Sequence, residues 1–276
     1  MNFVKNIYNL NMLQLFNEDC FERMKQMPDN SVSLIVTDPP YGINFKGVTS
    51  NTDWDNLDYS KFLIKFLSEV KRILTDDGTL WMFCGRTKIL EVFDAIQKVG
   101  LKCNLENWLT YARAKGQGSK HKLKSQAEEV LHITKGSKFT WRSIEYLREV
   151  VVPYVKDGKP RGWFLDQNTG QRVRWSGIGN VLAFISPFHI NKFEKQIHST
   201  QKPVLLFTEL IMLSSKPGDT VFDPFAGSGA SGVAADACGR NWIGCELDEE
   251  MYVKSKNWLD NYDKELVKEH IQHRVK

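Results

Sequence analysis

Val32-Ser33-Leu34-Ile35-Val36-Thr37-Asp38-Pro39-Pro40-Tyr41 reads as a buried strand brought to a sudden stop. The β-branched and apolar run predicts a strand covered on both faces. Two consecutive prolines cannot feed a sheet ladder or continue a helix, so the chain must turn there. The turn holds a carboxylate and an aromatic ring at the carboxyl edge of a sheet, where open α/β folds bind ligands. Pro40 biases Pro39 towards extended backbone and leaves its carbonyl as an outward acceptor. Acceptors beside a flat ring suit a planar group that bears an NH2, as a nucleobase does.

Outward from this strand, elements alternate. Met12 to Phe16 predicts a strand, followed by Asp19-Cys20 and a short helix to Met27. Phe62, Leu63, Phe66, Leu67, Val70, Ile73 and Leu74 form a helical stripe within Tyr59 to Leu74, closed by Asp76-Asp77-Gly78. Thr79 to Cys84 predicts a strand and Ile89 to Val99 a helix ended by Gly100. Two further strands, Leu101 to Thr110 and Glu129 to Thr134, flank a basic Gly/Lys/Ser loop. After an irregular stretch come a helix at Pro203 to Ser214, a strand at Thr220 to Asp223 and a helix from Ser228 to Cys238. A strand at Trp242 to Glu246 and a helix from Glu249 to about Tyr262 follow, and the charged tail after Lys264 is expected to fray. Such alternation implies an α/β fold with a mostly parallel, doubly wound sheet.

The 276 residues suit one large α/β domain with a small insert. The rhythm is lost from Gly136 to about Ile197, where Trp141, Trp163, Trp175 and Phe188 mix with Arg142, Arg148, Arg161, Arg172 and Arg174. The tryptophans read as a small core, with base stacking or wedging into DNA as the alternatives. Boundaries are placed at 1–135, 136–197 and 198–276. Net charge is only +4, yet Lys135 to Lys202 carries 12 Lys/Arg against 5 Asp/Glu. Tyr111 to Gln126 adds Arg113, Lys115, Lys120, Lys122 and Lys124 with no acid. Concentrated so, these residues read as a phosphate-binding surface rather than two solvated loops. The five cysteines form no CxxC or zinc-type cluster and are expected to be reduced; no metal site is expected. With no signal-peptide pattern and no apolar run of about 18 residues, a cytoplasmic protein is expected.

A second motif, Asp223-Pro224-Phe225-Ala226-Gly227-Ser228-Gly229-Ala230-Ser231-Gly232, lies between a strand and a helix. Its glycines satisfy the GxGxxG of dinucleotide sites, and Glu246 ends the next strand where a ribose-binding acid belongs. Two details count against a dinucleotide: Asp223 would face a pyrophosphate, and the turn holds no basic residue. An adenosyl ligand with an ammonium-bearing tail suits the acid better.

In this order, the Asp38-Pro39-Pro40-Tyr41 and Asp223-Pro224-Phe225-Ala226-Gly227-Ser228-Gly229 motifs resemble those of the beta-class DNA amino-methyltransferases. Asp19-Cys20, Trp54-Asp55 and His198-Ser199-Thr200-Gln201-Lys202-Pro203 agree with that pattern, and Ser199 departs from the usual proline. Ala230-Ser231 replaces the common Thr-Thr. The resemblance implies a Rossmann-like S-adenosylmethionine-dependent fold, with the catalytic half first, an inserted recognition module, and the cofactor half last. It implies methyl transfer to the N6 amine of a flipped adenine in double-stranded DNA, with cytosine N4 the alternative because Ser is commoner than Asp at position 38 there. RNA amino-methylation is a more distant reading.

By the same resemblance, Asp38, Pro39, Pro40 and Tyr41 are catalytic: Asp38 and the Pro39 carbonyl accept the amine's N–H groups, and Tyr41 stacks on the base. Asp223 takes the cofactor's ammonium, Glu246 its ribose and Asp19 its adenine, while Gly227, Ser228 and Gly229 let the backbone approach. Phe225 packs on the cofactor, and Thr200 and Lys202 lie near its carboxylate. Arg113, Lys115, Lys120, Lys122, Arg161, Arg172 and Arg174 are the candidate DNA contacts. The loop around Lys115 to Lys124 is expected to be mobile without DNA and to clamp on it. A homodimer and a separately acting restriction endonuclease complete the expected partners.

Overall fold

Val32–Thr37 does form a strand, and it lies near the middle of a nine-stranded sheet in the computed structural model. The structure describes residues 12–42, 58–150, 153–167, 169–183, 194, 196–198 and 200–275. Trp54, Asp55, Phe188 and Ser199 lie outside the described residues. In chain order the strands are β1 Leu13–Phe16, β2 Val32–Thr37, β3 Leu74–Cys84, β4 Lys102–Cys103, β5 Leu109–Ser119, β6 Lys122–Thr134 and β7 Tyr146–Glu149. They continue with β8 Val155–Lys156, β9 Lys159–Pro160, β10 Phe164–Leu165, β11 Arg172–Ser176, β12 Val181–Ala183, β13 Thr220–Asp223 and β14 Asn241–Cys245. The helices are α1 Cys20–Gln26, α2 Tyr59–Ile73, α3 Ile89–Val99, α4 Val204–Ser214, α5 Ala230–Ala237, α6 Glu249–Asn261 and α7 Lys264–Arg274.

The main sheet has the order β1-β14-β13-β2-β3-β6-β5-β12, with β4 also paired to β6. Neighbours from β1 through β3 are parallel, β6 is antiparallel to both β3 and β5, and β12 is parallel to β5. The alternating side chains of the central strands feed two cores. Leu34, Val36, Trp81 and Phe83 pack under α4, α5, α6 and α7 on one face. Ile35, Leu80 and Met82 pack under α1, α2 and α3 on the other. This is the doubly wound arrangement that the alternating elements predict. Gly100 ends α3 with φ 72°, a left-handed cap that glycine adopts at little cost.

Three local expectations need correcting. Leu101 to Thr110 is not one strand: Lys102–Cys103 pairs with β6, a single 3-10 turn follows at Leu105–Asn107, and β5 begins only at Leu109. Asn104, Glu106 and Asn107 interrupt the apolar pattern there, and polar breaks favour turns. The basic stretch is not a loop but the distal part of the β5–β6 hairpin, paired as far as Ser119 and Lys122 with register shifts along the way. Its glycines and like charges conceal strand character that cross-strand pairing supplies. The tail after Lys264 is a docked helix rather than a frayed end. Asp263 caps α7 by accepting from the Leu266 N–H, and Val267 and Ile271 are buried.

Residues 136–197 contain a three-stranded antiparallel sheet, β10-β11-β7, and the β8–β9 pair, and then return to the main sheet through β12. Tyr146 is buried with its hydroxyl donating to the Glu209 carbonyl, and Arg148 pairs with the Glu209 carboxylate at 2.6 Å. These contacts explain why α4 is buried almost all round. No described helix is long and apolar enough to cross a membrane.

Candidate active site

Parallel strands bring their carboxyl ends to one edge, and the acidic candidates gather there. Asp38 directly follows β2, Asp223 ends β13, Glu246 directly follows β14, and Asp19 caps α1 beyond β1. β13 and β2 are neighbours, so Asp223 and Asp38 stand at adjacent strand ends, with Asp38 the further along. A cleft of about 380 Å³ opens at this edge. Asp19, Asp38, Pro40, Asp223 and Glu246 line it, as do Thr200, Lys202, Phe225, Gly227 and Ser228. Pro39, Tyr41 and Gly229 adjoin lining residues in the chain without being part of the lining.

Asp223 is 2% exposed and hydrogen-bonded on both oxygens. Thr37 Oγ donates at 2.7 Å, Ser231 Oγ at 2.5 Å and the Phe225 N–H at 3.2 Å. Burial pushes its carboxyl up to about 6, although these donors favour the ionised form. The Ser231 hydroxyl therefore supports the carboxylate from behind. Glu246 accepts from the N–H groups of Gly227 and Asp248, each at 2.9 Å, and burial pushes it up to about 7. Asp19 spends one oxygen on the Phe21 N–H at 2.7 Å as an N-cap while still reaching the cleft. Phe225 packs its ring on Phe66 at 5.5 Å between centroids, which fixes one wall.

The Asp38–Tyr41 turn is tied into a charge cluster that crosses the sheet. Tyr41 Oη donates to Asp38 Oδ1 at 2.6 Å, and Lys202 Nζ pairs with Asp38 Oδ2. The same ammonium lies 2.9 Å from Glu128 Oε2, and the Tyr41 hydroxyl is 3.4 Å from that oxygen. Arg113 Nη1 holds the other Glu128 oxygen at 3.1 Å. Lys202 is only 6% exposed. Burial works against its charge, but the carboxylates of Asp38 and Glu128 outweigh that and hold its pKa above the ordinary lysine value. Gly42 follows Tyr41 with φ 62°, and a Cβ there would meet the Tyr59 ring at 2.7 Å, so the turn needs glycine.

Glu128 is the residue that sequence reading missed. In Ala127-Glu128-Glu129-Val130 two adjacent acids on one strand must face opposite sides. Glu129 is also buried and accepts from Trp108 Nε1 at 2.8 Å and Thr110 Oγ at 3.0 Å. Buried paired acids in a strand demand partners, and that was the available signal. The turn also argues against a dinucleotide. The N–H groups of Phe225, Ala226, Gly227 and Gly229 donate to Asp223, Cys245, Glu246 and Ala226, so they do not form a cradle for phosphate.

A family model described as DNA methylase matches residues 32–257. The chain belongs to the DNA methylase family. Type II methyltransferase M1.MboII of Moraxella bovis is 31% identical over 273 residues, covering 91% of this chain and 98% of the relative. Type II methyltransferase M.HpaI of Haemophilus parainfluenzae is 29% identical, covering 90% of this chain and 74% of the relative. Among solved structures, the M1.HpyAVI–SAM complex has a TM-score of 0.60 at 21% identity, covering 91% of this chain and 100% of that one. PvuII DNA methyltransferase, cytosine-N4-specific, has a TM-score of 0.66 at 18% identity, covering 94% and 92%. These two share the fold of the methylase.

Away from the cleft, the methylase presents its basic candidates on two features. Lys115, Lys120 and Lys122 belong to the β5–β6 hairpin and its tip, where Lys120 is exposed and Leu123 is 97% exposed. Arg113 lies at the hairpin base, paired with Glu128, so it belongs to the site cluster rather than to the outer face. Arg172 and Arg174 are exposed on β11 while Val173 between them is buried, the period-two pattern of a strand. The Arg172 guanidinium sits 5.7 Å from the Trp163 ring centre, and Trp163 Nε1 donates to the Tyr154 carbonyl at 2.8 Å. Arg161 is exposed in the adjoining turn. Among the described residues no cluster of His, Cys, Asp or Glu could hold a metal.

Proposed function

We propose that this DNA methylase transfers a methyl group from S-adenosylmethionine to the N6 amine of adenine at a specific site in double-stranded DNA. One observation carries the reading: an acid, Asp38, stands at the catalytic turn with both oxygens oriented by fixed donors at the mouth of the cleft. A cleft of about 380 Å³ lies within the usual ~300–1,000 Å³ range for small ligands. Asp223 would hold an ammonium, Glu246 a ribose diol and Asp19 an adenine amine, with Phe225 and Gly227 shaping the wall. When bound, S-adenosylmethionine supplies an electrophilic methyl group that needs no further activation.

The residues of the chain then have a positioning task. A paired base is out of reach, so the target must leave the stack. Each Asp38 oxygen keeps a lone pair beyond its existing bond, and together with the Pro39 carbonyl these accept the N–H groups of the amine. That draws the nitrogen lone pair out of conjugation and aims it, and orientation accounts for most of the rate. Methylation leaves a positively charged nitrogen that releases its proton readily, so Asp38 need not be a strong base. Residues 136–197 serve as the target-recognition module, with Arg161, Arg172 and Arg174 towards DNA, and the basic hairpin grips phosphate.

The second reading is cytosine N4, the specificity printed for the PvuII enzyme of like fold. Expression in a methylation-free host, followed by single-molecule sequencing of its DNA, separates the two. N6-methyladenine at one short motif is expected, N4-methylcytosine would correct the base, and unmodified DNA would overturn the reading. D38A should abolish the modification while leaving S-adenosylmethionine affinity within about 3-fold.

A further inference from the structure

We propose that Glu128 is a positioning residue for methyl transfer: acting through Lys202, it clamps the Asp38 carboxylate in the orientation that accepts the target amine. The proposal rests on the methylation reading above and names how the acid at the turn is held.

Three connections carry it. Asp38 is fixed at both ends, by the Tyr41 hydroxyl on Oδ1 and by the Lys202 ammonium on Oδ2. Lys202 is itself fixed by Glu128 at 2.9 Å; its hydrogen bond to the Thr200 carbonyl is long at 3.5 Å, and the Phe83 ring centre lies 5.3 Å from the ammonium. Glu128 comes from β6, separated from β2 in the sheet by β3, so the clamp joins elements distant in sequence. Its far oxygen is held by Arg113, which in turn donates to the Ser125 carbonyl at 3.0 Å.

The charges explain why two carboxylates share one ammonium. A lysine paired to Asp38 alone would be a neutral contact pair, and the ammonium would compete with the target amine for the same oxygens. Sharing Lys202 with Glu128 divides the ammonium's hold between two acceptors, and Arg113 on the far Glu128 oxygen balances the second acid, so the cluster of two acids and two bases is neutral. Only 6% of Lys202 is exposed, so its ammonium relies on these two carboxylates for most of its stabilisation. Glu128 does not itself line the cleft; it meets the lining at Lys202, and its influence runs through that residue.

The test is a double-mutant cycle on the full chain. Initial rates are read as methyl label passed from S-adenosylmethionine to genomic DNA of a methylation-free host, with cofactor affinity measured separately by calorimetry. E128Q keeps shape and removes charge. It is expected to lower kcat by about 10- to 100-fold, the scale of a misplaced reacting group, with cofactor affinity unchanged. In the K202M background the same E128Q change is expected to cost less than about 2-fold, because residues acting as one unit are not additive. If K202M folds poorly because it leaves two carboxylates facing, K202Q, whose amide can still donate to them, supplies the background for the cycle.

Equal losses from E128Q in both backgrounds would overturn the role, since Glu128 would then act without Lys202. So would a full-rate E128Q, or a loss in K202M that equals its loss of cofactor affinity, which would put Lys202 on the cofactor instead. A wild-type chain that binds S-adenosylmethionine but leaves the DNA unmethylated overturns the methylation reading itself, and this role with it.

Discussion

Burial shifts Asp223 and Glu246 towards their neutral forms, and that makes this end of the cleft sensitive to pH. Both carboxyls lie above the ordinary range, at about 6 and about 7. A cation or a diol is held by the ionised form, so binding must expel protons once the pH drops towards these values. S-adenosylmethionine affinity is therefore expected to fall steadily from pH 8 to pH 5.5, and calorimetry in buffers of different ionisation enthalpy should register proton release. D223N should bind weakly with a flatter profile; an affinity independent of pH in the parent chain would remove Asp223 and Glu246 from the binding event. Stability of the free protein runs the other way. The folded state holds these protons more tightly than the unfolded one, so their contribution is complete below about pH 4 and is lost as pH rises through about 7. At this scale the sequence was most legible where function sits at a strand end. Asp38, Asp223 and Glu246 each stand beside a turn that their neighbours announce. Lys202 and Glu128 do not, because their pairing depends on which strands lie side by side, and no local pattern reports that.

Among the elements, the β5–β6 hairpin departs furthest from its sequence pattern. Lys, Gly and Ser are poor strand formers, and a local reading of Lys115 to Lys124 gives a loop. Its pairing continues because the strands below it, Leu109 to Ala112 against Ala127 to Val130, are in regular register and carry the chain outward. A paired arm bearing Lys120, Lys122 and Lys124 is expected to contribute to DNA binding through phosphates. The triple change K120Q/K122Q/K124Q should weaken binding without altering the methylated motif. The slope of log K against log salt should become shallower by about 0.9 for each phosphate that is no longer neutralised. Fluorescence anisotropy across a salt series reads this directly, and an unchanged slope would take the arm off the DNA. By contrast the helices α2 and α3 follow their apolar stripes and caps closely, since amphipathic periodicity is a local property.

For the molecule as a whole, α7 fastens residues 136–197 to the main domain. Val267 and Ile271, an i,i+4 apolar pair, sink into the core beside α4 and α5. His273 reaches Asp166 at 3.1 Å, and Val275 bridges to Tyr146. That apolar pair could have been read in the sequence, but the surrounding charges of Lys264 to Arg274 hid it. I271A is expected to cost about 2–5 kcal/mol, the range for truncating a buried aliphatic side chain. Urea unfolding measures the destabilisation, and hydrogen exchange should speed up first across Tyr146–Glu149. If exchange there is unchanged, α7 does not hold this region.

The return of the chain through β12 has a further meaning. β12 pairs directly with β5, the strand that passes from the Arg113–Glu128 contact to the basic arm. The polypeptide thus leaves the sheet from β6 and re-enters it at β12, with β5 between the two, and Arg148 and Tyr146 bolt the intervening piece to α4. On the proposed reading, the base that is recognised and the base that is modified are gripped by a single rigid gauge. Their separation along the duplex is then set by the sheet and not by a linker, so the enzyme counts base pairs with its architecture.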